Sequence, residues 1–339
     1  MPPLPVPPIA LTMGEPGGVG PEIALKAYAS LKSRGPIFFA IADPSVFVDR
    51  GSTIALIRTP HEAATIFEGA LPILDLGVAA RATLGRADAA SAPAVIASIE
   101  RAVGYTLSGE ASAVVTNPIQ KASLIAAGFK YQGHTEFLEA LTASAPMPKN
   151  RKRGAVMMIA GPDLRTVPLT IHLSVRRAAE SITTDMIVEK ATIVMEALTH
   201  DFGFASPRLA ISGLNPHAGE GGVIGTEDRD VIAPAVARLR EIFGVNVAGP
   251  LPADTMFHAE ARRSYDAALC MLHDQALIPA KTLAFHEAVN ITLGLPIIRT
   301  SPDHGTALDI AGKGLANAGS LIAALNLAAS MASARRAAR

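Results

Sequence analysis

Seven short runs of mostly apolar residues recur along this chain of 339 residues, separated by loops and helical patterns. The runs are four to six residues long and lie at 9–12, 37–42, 113–116, 155–159, 167–171, 209–212 and 267–272. Continuous apolar runs of this length are typical of strands that are buried on both faces of a parallel sheet. Helical patterns alternate with them, such as the one that opens at Pro21 and Glu22. The sequence therefore predicts an α/β architecture with a largely parallel sheet.

The length indicates two domains, because 339 residues are about twice the roughly 150 residues of an ordinary domain. The stretch 142–153 is rich in Ala, Pro and basic residues and is the best linker by composition, although a long surface loop would have the same composition. We interpret the alanine-rich segment 323–338 as a surface helix with a frayed tail.

Charge and composition exclude several classes of protein. The 30 Lys and Arg residues balance 30 Asp and Glu residues, so the net charge does not favour binding to nucleic acid or to an anionic membrane. No apolar run reaches the ~18 residues of a membrane span, and the proline-rich leader, 1–8, has no basic segment of a signal peptide. The single cysteine, Cys270, lies in an apolar run and is expected to be a buried, inert thiol. We therefore expect a soluble cytoplasmic protein.

Three histidines stand at the ends of apolar runs. His172 and His273 directly follow the runs 167–171 and 267–272, and His217 lies in the glycine-rich loop after the run 209–212. Ligands of open α/β sheets bind beyond the carboxyl ends of the strands, so these three imidazoles are candidates for holding a divalent metal. No short His-to-His spacing defines the site locally. Histidines that are hydrogen-bonded or face a phosphate remain the alternative interpretation.

A second set of residues suits a small phosphate. Lys281, Asn290 and Arg299 lie near short apolar segments, where an unpaired charge would be costly to bury, and the segment 133–136, which contains His134 and Thr135, opens a helix. Helix N-termini and arginine side chains both favour phosphate oxygens. For any single Lys or Arg, a solvated surface position is the common alternative.

The glycine-rich loops do not match the best-known nucleotide motifs. In the loop 14–20 the glycines stand at 14, 17, 18 and 20, which fits neither the G-x-G-x-x-G fingerprint nor the P-loop pattern. A Rossmann-type pyrophosphate site is therefore not supported. The second loop, 301–314, has glycines that turns alone could explain.

Taken together, the motifs resemble the 4-hydroxythreonine-4-phosphate dehydrogenase (PdxA) family over nearly the whole chain. The resemblance rests on MGEPGGVGPE at 13–22, VTNPIQK at 115–121, GHTEFL at 133–138, NPHAGEGG at 215–222, GPLPADT at 249–255, HDQ at 273–275 and VNITLGLP at 289–296. It implies two α/β/α domains of the isocitrate/isopropylmalate dehydrogenase-like type, with a cleft between them. The expected boundaries are 1–130 plus 302–339 for a cofactor-side domain and 131–301 for a domain with the metal and substrate ligands.

The resemblance also implies an activity. It is the NAD(P)-dependent oxidation of 4-phosphooxy-L-threonine, followed by loss of CO2, in pyridoxal 5'-phosphate biosynthesis. One divalent metal (zinc, magnesium or cobalt) is expected at a site shared across a homodimer, with His172, His217 and His273 as its ligands. The substrate-binding residues implied are His134, Thr135, Lys281, Asn290 and Arg299.

The loop 304–312 is similar to the adenosine-binding loop of isopropylmalate and isocitrate dehydrogenases, apart from Leu308, which replaces their proline. This similarity implies that NAD or NADP is bound by His304, Gly305, Thr306 and Asp309, with Asp309 on the ribose hydroxyls.

Asp254, Asp274 and Lys281 are the predicted catalytic residues, and the two aspartates are candidates for the general base or for groups that orient the metal ligands. Three other functions remain open. They are a paralogous dehydrogenase of a phosphorylated four-carbon sugar acid such as phosphoerythronate or phosphothreonate, a metal-dependent hydrolase, and a non-catalytic protein that binds a phosphorylated metabolite.

Overall fold

The structure is a computed structural model that describes residues 6–47, 53–131 and 133–338. The first five residues of the proline-rich leader lie outside this part of the chain. The described strands are β1 (Ile9–Thr12), β2 (Phe38–Ala42), β3 (Ile54–Ile57), β4 (Leu71–Asp75), β5 (Val114–Val115), β6 (Val156–Ala160), β7 (Arg165–Pro168), β8 (Leu209–Ser212), β9 (Val247–Leu251), β10 (Ala267–Cys270), β11 (Val289–Leu293) and β12 (Arg299–Pro302). The described helices are α1 (Gly20–Leu31), α2 (Ala63–Ile66), α3 (Ala92–Ser108), α4 (Lys121–Ala126), α5 (His134–Thr142), α6 (Val175–Ser181), α7 (Thr184–His200), α8 (Ala233–Phe243), α9 (His273–Ala284) and α10 (Gly319–Ala337).

The chain forms two compact units, of which the first comprises Met1–Pro146 and Leu295–Ala337. Its six strands lie in the order β3-β4-β2-β1-β5-β12, and every pair of neighbours is parallel. The central strands β1 and β2 are buried along their whole length, as continuous apolar strands of a parallel sheet should be. Helices α3 and α10 pack against these strands, so the unit is an α/β layer structure.

The second unit comprises Met147–Gly294 with the last two residues, Ala338–Arg339. Its strand order is β11-β6-β7-β10-β8-β9. The pairs β7–β10, β10–β8 and β8–β9 are parallel, whereas β11–β6 and β6–β7 are antiparallel. The α/β prediction is confirmed, and the antiparallel pairs arise because β6 and β7 form a hairpin, closed by a bond of 2.8 Å from the amide of Gly161 to the carbonyl of Leu164.

The division of the chain differs from the predicted boundaries at 130 and 301. The first boundary falls inside the predicted linker, at 146, because α5 packs against α3 of the first unit. The second falls at 294, because β12 pairs with β5. As a result, His134, Thr135 and Arg299 belong to the first unit, and only Lys281 and Asn290 of the predicted substrate residues belong to the second.

The last helix is not the surface helix that its alanine-rich sequence predicted. Ala324, Leu325 and Ala328 of α10 are fully buried, and the hydroxyl of Thr300 on β12 donates a hydrogen bond of 2.9 Å to the carbonyl of Ala324. Small side chains allow this helix to approach the sheet closely, so alanine here serves packing. No helix in the described part of the chain is both long and apolar enough to span a membrane.

Candidate active site

Arg299 begins β12 and lies buried in the first unit, with 4% of its surface exposed. Its Nε and Nη2 atoms donate to the hydroxyl of Thr116, at 3.2 and 2.7 Å. Thr116 directly follows β5, and its amide donates to the carbonyl of Thr300, so the β5–β12 ladder positions both side chains. Burial lowers the pKa of Arg299 from 12.5 to about 10, because the charged guanidinium has lost most of its water.

His134 is the first residue of α5, and its Nε2 is buried without a hydrogen-bond partner. Burial, together with the nearby charges of Arg299 and Lys121, lowers the pKa of His134 well below its usual 6.5, so the ring is neutral. A Cβ at the neighbouring Gly133 would lie 3.5 Å from the Nζ of Lys121, which places this ammonium at the N-terminus of α5. We call Arg299, Thr116, His134 and Lys121 the anion subsite, since a positive helix end and two cations surround a buried unpartnered nitrogen.

The predicted cofactor loop lies against the first glycine-rich loop within the same unit. The amide of Val19 donates to the carbonyl of Thr306 at 3.0 Å, and a Cβ at Gly18 would lie only 2.8 Å from that carbonyl oxygen. Of the predicted cofactor residues, Thr306 is buried, whereas His304, Gly305 and Asp309 are exposed. A Cβ at Gly305 would meet no atom within 4 Å, so open space lies beside this backbone.

Helix α1 fastens the segment that follows this loop. The carboxylate of Glu22 accepts from the amides of Gly312 and Ala316, and the ammonium of Lys26 donates to the carbonyls of Gly314 and Ala316 at 2.8 and 2.7 Å. The loop 301–314 is thus held by charged groups of α1, which a set of simple turns would not require. The exposed Asp309 and the open space at Gly305 fit a dinucleotide that approaches the loop closely.

In the second unit, His172 and His273 line one pocket of about 240 Å³. His273 is the first residue of α9, and its Nδ1 lies 2.7 Å from Oδ1 of Asp274. A carboxylate at Nδ1 leaves Nε2 available as a metal ligand, which is the usual arrangement of metal-binding histidines. His172 has a φ of 53°, and the residues just before it are tied to the end of β10 by hydrogen bonds from the amide of Leu169 and the hydroxyl of Thr170.

His217 lies on a separate loop of the second unit, at the start of a left-handed turn. Six consecutive residues have positive φ angles, namely 52° at His217, 50° at Ala218, 75° at Gly219, 43° at Glu220, 68° at Gly221 and 103° at Gly222. The three that are not glycine each cost about 1–2 kcal/mol relative to ordinary backbone, so other contacts must hold the turn. It packs against the short turn Ala253–Thr255, which carries the exposed Asp254.

Gln275 links the loops of His217 and His273. Its Oε1 accepts from the amide of Leu272 at 3.0 Å and from the hydroxyl of Ser212 at 3.3 Å, and its Nε2 donates to the carbonyl of Gly213 at 3.1 Å. The start of α9 and the end of β8 are therefore joined by one side chain.

The structure brings together some of the predicted residues only. His134 and Arg299 both belong to the anion subsite, and Thr135 lies next to it as the second residue of α5. Asn290 on β11 and Lys281 on α9 are half-buried in the second unit. Among the described residues, no group of three His, Cys, Asp or Glu side chains in this one chain could hold a metal ion. The three-histidine metal site, which the resemblance places across a homodimer, stays a prediction. His172 and His273, which line one pocket, fit the part of such a metal site that a single chain supplies.

Four residues of these sites were not singled out from the sequence: Thr116, Lys121, Asp228 and Gln275. Thr116 and Lys121 lie in the motif 115–121 and Gln275 in the motif 273–275, so a signal was present, but only His273 and Asp274 of these two motifs were chosen. Asp228 has no such signal, because its carboxylate accepts from the amides of Leu214 and Asn215, more than ten residues before it in the loop that leads to His217. Cys270 is fully buried as predicted, and burial raises the pKa of its thiol.

Known proteins resemble this chain over almost its full length. The family model "Pyridoxal phosphate biosynthetic protein PdxA" matches residues 36–328. A protein of Caulobacter vibrioides named 4-hydroxythreonine-4-phosphate dehydrogenase is 51% identical over 330 residues, which cover 97% of this chain and 98% of that protein. One of the same name from Methylorubrum extorquens is 53% identical over 334 residues, with 95% and 93% coverage.

A solved structure agrees with these matches. The crystal structure of 4-hydroxythreonine-4-phosphate dehydrogenase from Klebsiella pneumoniae superposes with a TM-score of 0.84 at 34% identity, and the match covers 96% of this chain and 98% of that one. The chain therefore belongs to the PdxA family of pyridoxal phosphate biosynthetic proteins.

Proposed function

We propose that this chain is a cytoplasmic 4-hydroxythreonine-4-phosphate dehydrogenase. In this reaction the C3 hydroxyl of 4-phosphooxy-L-threonine loses its proton and C3 gives up its hydrogen as a hydride, which reduces NAD+ or NADP+ as the ketone forms. The resulting 2-amino-3-oxo-4-phosphooxybutanoate loses CO2 to give 3-amino-2-oxopropyl phosphate, a step in pyridoxal 5'-phosphate biosynthesis. The names of the relatives support this choice over a sugar-acid paralogue.

The observation that carries the proposal is the anion subsite. A buried guanidinium whose pKa is lowered and a neutral imidazole with an unpartnered nitrogen are unfavourable arrangements in the absence of a ligand. A phosphate would accept hydrogen bonds from Arg299 and from an Nε2–H of His134, and its charge would meet the positive end of α5. Binding energy gained there would orient the reacting carbon for hydride transfer.

The remaining predicted residues take roles that follow from their positions. Lys281 and Asn290 assist in holding the substrate. Asp274 orients His273, because its Oδ1 already faces Nδ1 of that ring. This leaves Asp254 and Lys281 as the candidates that accept the proton of the C3 hydroxyl. NAD or NADP is bound by His304, Gly305, Thr306 and Asp309, with the carboxylate of Asp309 on the ribose hydroxyls.

A divalent metal is held by His172, His217 and His273, with at least one of the three contributed by a second copy of the chain in a homodimer. Such an ion supplies Lewis-acid stabilisation of negative charge on the C3 oxygen, both in the oxidation and in the loss of CO2. This division between two copies accounts for the fact that only His172 and His273 line one pocket in the described chain.

The test is a steady-state assay of NADH or NADPH formation on purified protein, with metal present or chelated. Substrates are 4-phosphooxy-L-threonine and 4-phosphoerythronate, and the variants are His217→Ala and, as a matched control, His61→Ala, an exposed histidine of the first unit. We expect turnover of the amino acid that His217→Ala abolishes and His61→Ala leaves unchanged. Turnover of the sugar acid alone would favour the paralogue, phosphate release without a nicotinamide would favour a hydrolase, and binding without turnover would favour a non-catalytic protein.

A further inference from the structure

The left-handed turn 217–221 needs an external support, and the described contacts identify one side chain that supplies it. Backbone hydrogen bonds of the turn run from Ala218 N to the carbonyl of Asn215 at 3.0 Å, from Val223 N to the carbonyl of Glu220 at 3.3 Å and from Ile224 N to the carbonyl of Gly219 at 3.1 Å. These bonds close the turn on itself but do not attach it to the sheet. A further attachment joins Leu214 and Asn215, just before the turn, to a carboxylate that follows it in sequence.

That carboxylate is Asp228, which is 2% exposed. Its Oδ1 accepts from the amide of Leu214 at 2.8 Å. Its Oδ2 accepts from the amide of Asn215 at 3.0 Å and from the Nδ2 of the same residue at 2.9 Å. Each oxygen of the buried carboxylate is therefore paired with donors of the segment that leads directly into His217.

Two glycines of this region also lie close to the same carboxylate. A Cβ at Gly213 would lie 2.6 Å from Oδ1 of Asp228, and one at Gly219 would lie 3.3 Å from Oδ2. The backbone before the turn and the backbone in its middle both approach the carboxylate closely. Asp228 thus contacts the backbone both where the turn begins and near its centre.

We propose that Asp228 is a positioning residue that holds the left-handed turn in place and so presents the imidazole of His217 for metal binding. The inference rests on the proposed function, in which His217 is a metal ligand. It assigns Asp228 no contact with the metal or the substrate.

The chemistry of the side chain makes the proposal specific. An aspartate accepts at both oxygens, whereas an asparagine has one acceptor and one NH2 group. In an Asp228→Asn variant the NH2 group would have to face the amide of Leu214 or the two donors of Asn215. A nearly isosteric change therefore breaks one half of the attachment and leaves the packing volume unchanged.

A matched control stands next to it in sequence. Glu227 is exposed, and its Oε2 accepts from Nδ2 of Asn215 at 2.8 Å. A Glu227→Gln variant can turn its remaining carbonyl oxygen toward the same donor. It changes the same charge at the same loop and should leave the turn in place.

The experiment measures Co²⁺ binding by calorimetry on full-length, metal-stripped protein, without substrate or nicotinamide. We expect the dissociation constant of Asp228→Asn to rise about 10- to 100-fold, as is usual when a residue that orients a metal ligand is lost. Glu227→Gln should bind as the wild type does. Hydrogen exchange of the metal-free protein should be faster at the amides of Leu214 and Asn215 in Asp228→Asn only.

An unchanged Co²⁺ affinity of folded Asp228→Asn would overturn the inference, and so would equal weakening by Glu227→Gln. If Asp228→Asn does not fold, Asn215→Ala takes its place, and an affinity within twofold of the wild type would again overturn it. Failure of the proposed function gives a different result. In that case the wild type would bind no Co²⁺, or the wild type and His217→Ala would bind Co²⁺ equally well.

Discussion

Replacing Arg299 by methionine should separate stability from ligand binding. The lowering of its pKa from 12.5 to about 10 corresponds to about 3 kcal/mol by which burial disfavours the charged group, at 1.36 kcal/mol per pKa unit. Methionine has a similar length and carries no charge. The variant loses the hydrogen bonds of the guanidinium, among them those to the hydroxyl of Thr116, and we take this loss as about 1–3 kcal/mol. We therefore expect the free energy of unfolding of Arg299→Met to lie between that of the wild type and about 2 kcal/mol above it.

The affinity for the ligand should fall in Arg299→Met, although the stability of the variant should not. Loss of a buried, charge-assisted partner costs about 2–4 kcal/mol, so the affinity for the phosphorylated substrate should fall by roughly 30- to 1000-fold. The assay is thermal unfolding with and without substrate, in the absence of nicotinamide, since a ligand at free concentration L that binds only the folded state stabilises it by RT ln(1 + L/Kd) and so raises the melting temperature. The wild type and an exposed control, Arg34→Met, should be stabilised by the substrate, and Arg299→Met should not. A variant clearly less stable than the wild type, or one that still binds substrate normally, would refute the reasoning.

Three further predictions concern other parts of the molecule. The pKa of His134 is well below 6.5 in the folded state, so just below pH 6.5 only the unfolded state binds a proton at this residue. Lowering the pH should therefore destabilise the wild type relative to His134→Gln by up to about 1.4 kcal/mol per pH unit. Equal pH profiles of the two proteins in denaturant titrations would contradict this. Gly18→Ala should raise the KM for NAD(P) by pushing the carbonyl of Thr306 away, whereas Gly104→Ala inside α3, where a Cβ meets nothing within 4 Å, should leave kinetics unchanged. The thiol of Cys270 should react with a disulfide reagent only after denaturation, and rapid labelling of the native protein would disprove its burial.

The sequence predicted the buried strands best. The run 37–42 corresponds to β2 and the run 209–212 to β8, because a strand covered on both faces leaves a continuous apolar signature that needs no knowledge of its neighbours. The run 167–171 was placed too late, since β7 begins at Arg165 and ends at Pro168. The hairpin between β6 and β7 was missed although Gly161, Pro162 and Asp163 are typical turn residues.

Residue type and motif predicted many residues of the candidate site, but they did not predict which of these residues contact one another. His134 and Arg299 were both chosen as phosphate-binding residues, yet their proximity depends on the pairing of β12 with β5, which no local pattern specifies. Asp228 was missed for the same reason, because its role arises only when the loop before it folds back onto its carboxylate. The alanine-rich α10 shows the reverse error, in which low side-chain volume was interpreted as exposure when it reflects close packing.

The first unit is built from two separate stretches of chain, and this has a consequence for the synthesis of the protein on the ribosome. The second unit is almost entirely one stretch of chain, Met147–Gly294, and all of that stretch leaves the ribosome before the segment Leu295–Ala337 that completes the first. Until then the edge of β5 lacks its β12 partner, and an unpaired strand edge invites association with other chains. Arg299 arrives on the strand that covers this edge. A nascent chain that ends at residue 298 would therefore contain all three histidines of the proposed metal site, but it would lack the guanidinium of the proposed phosphate site.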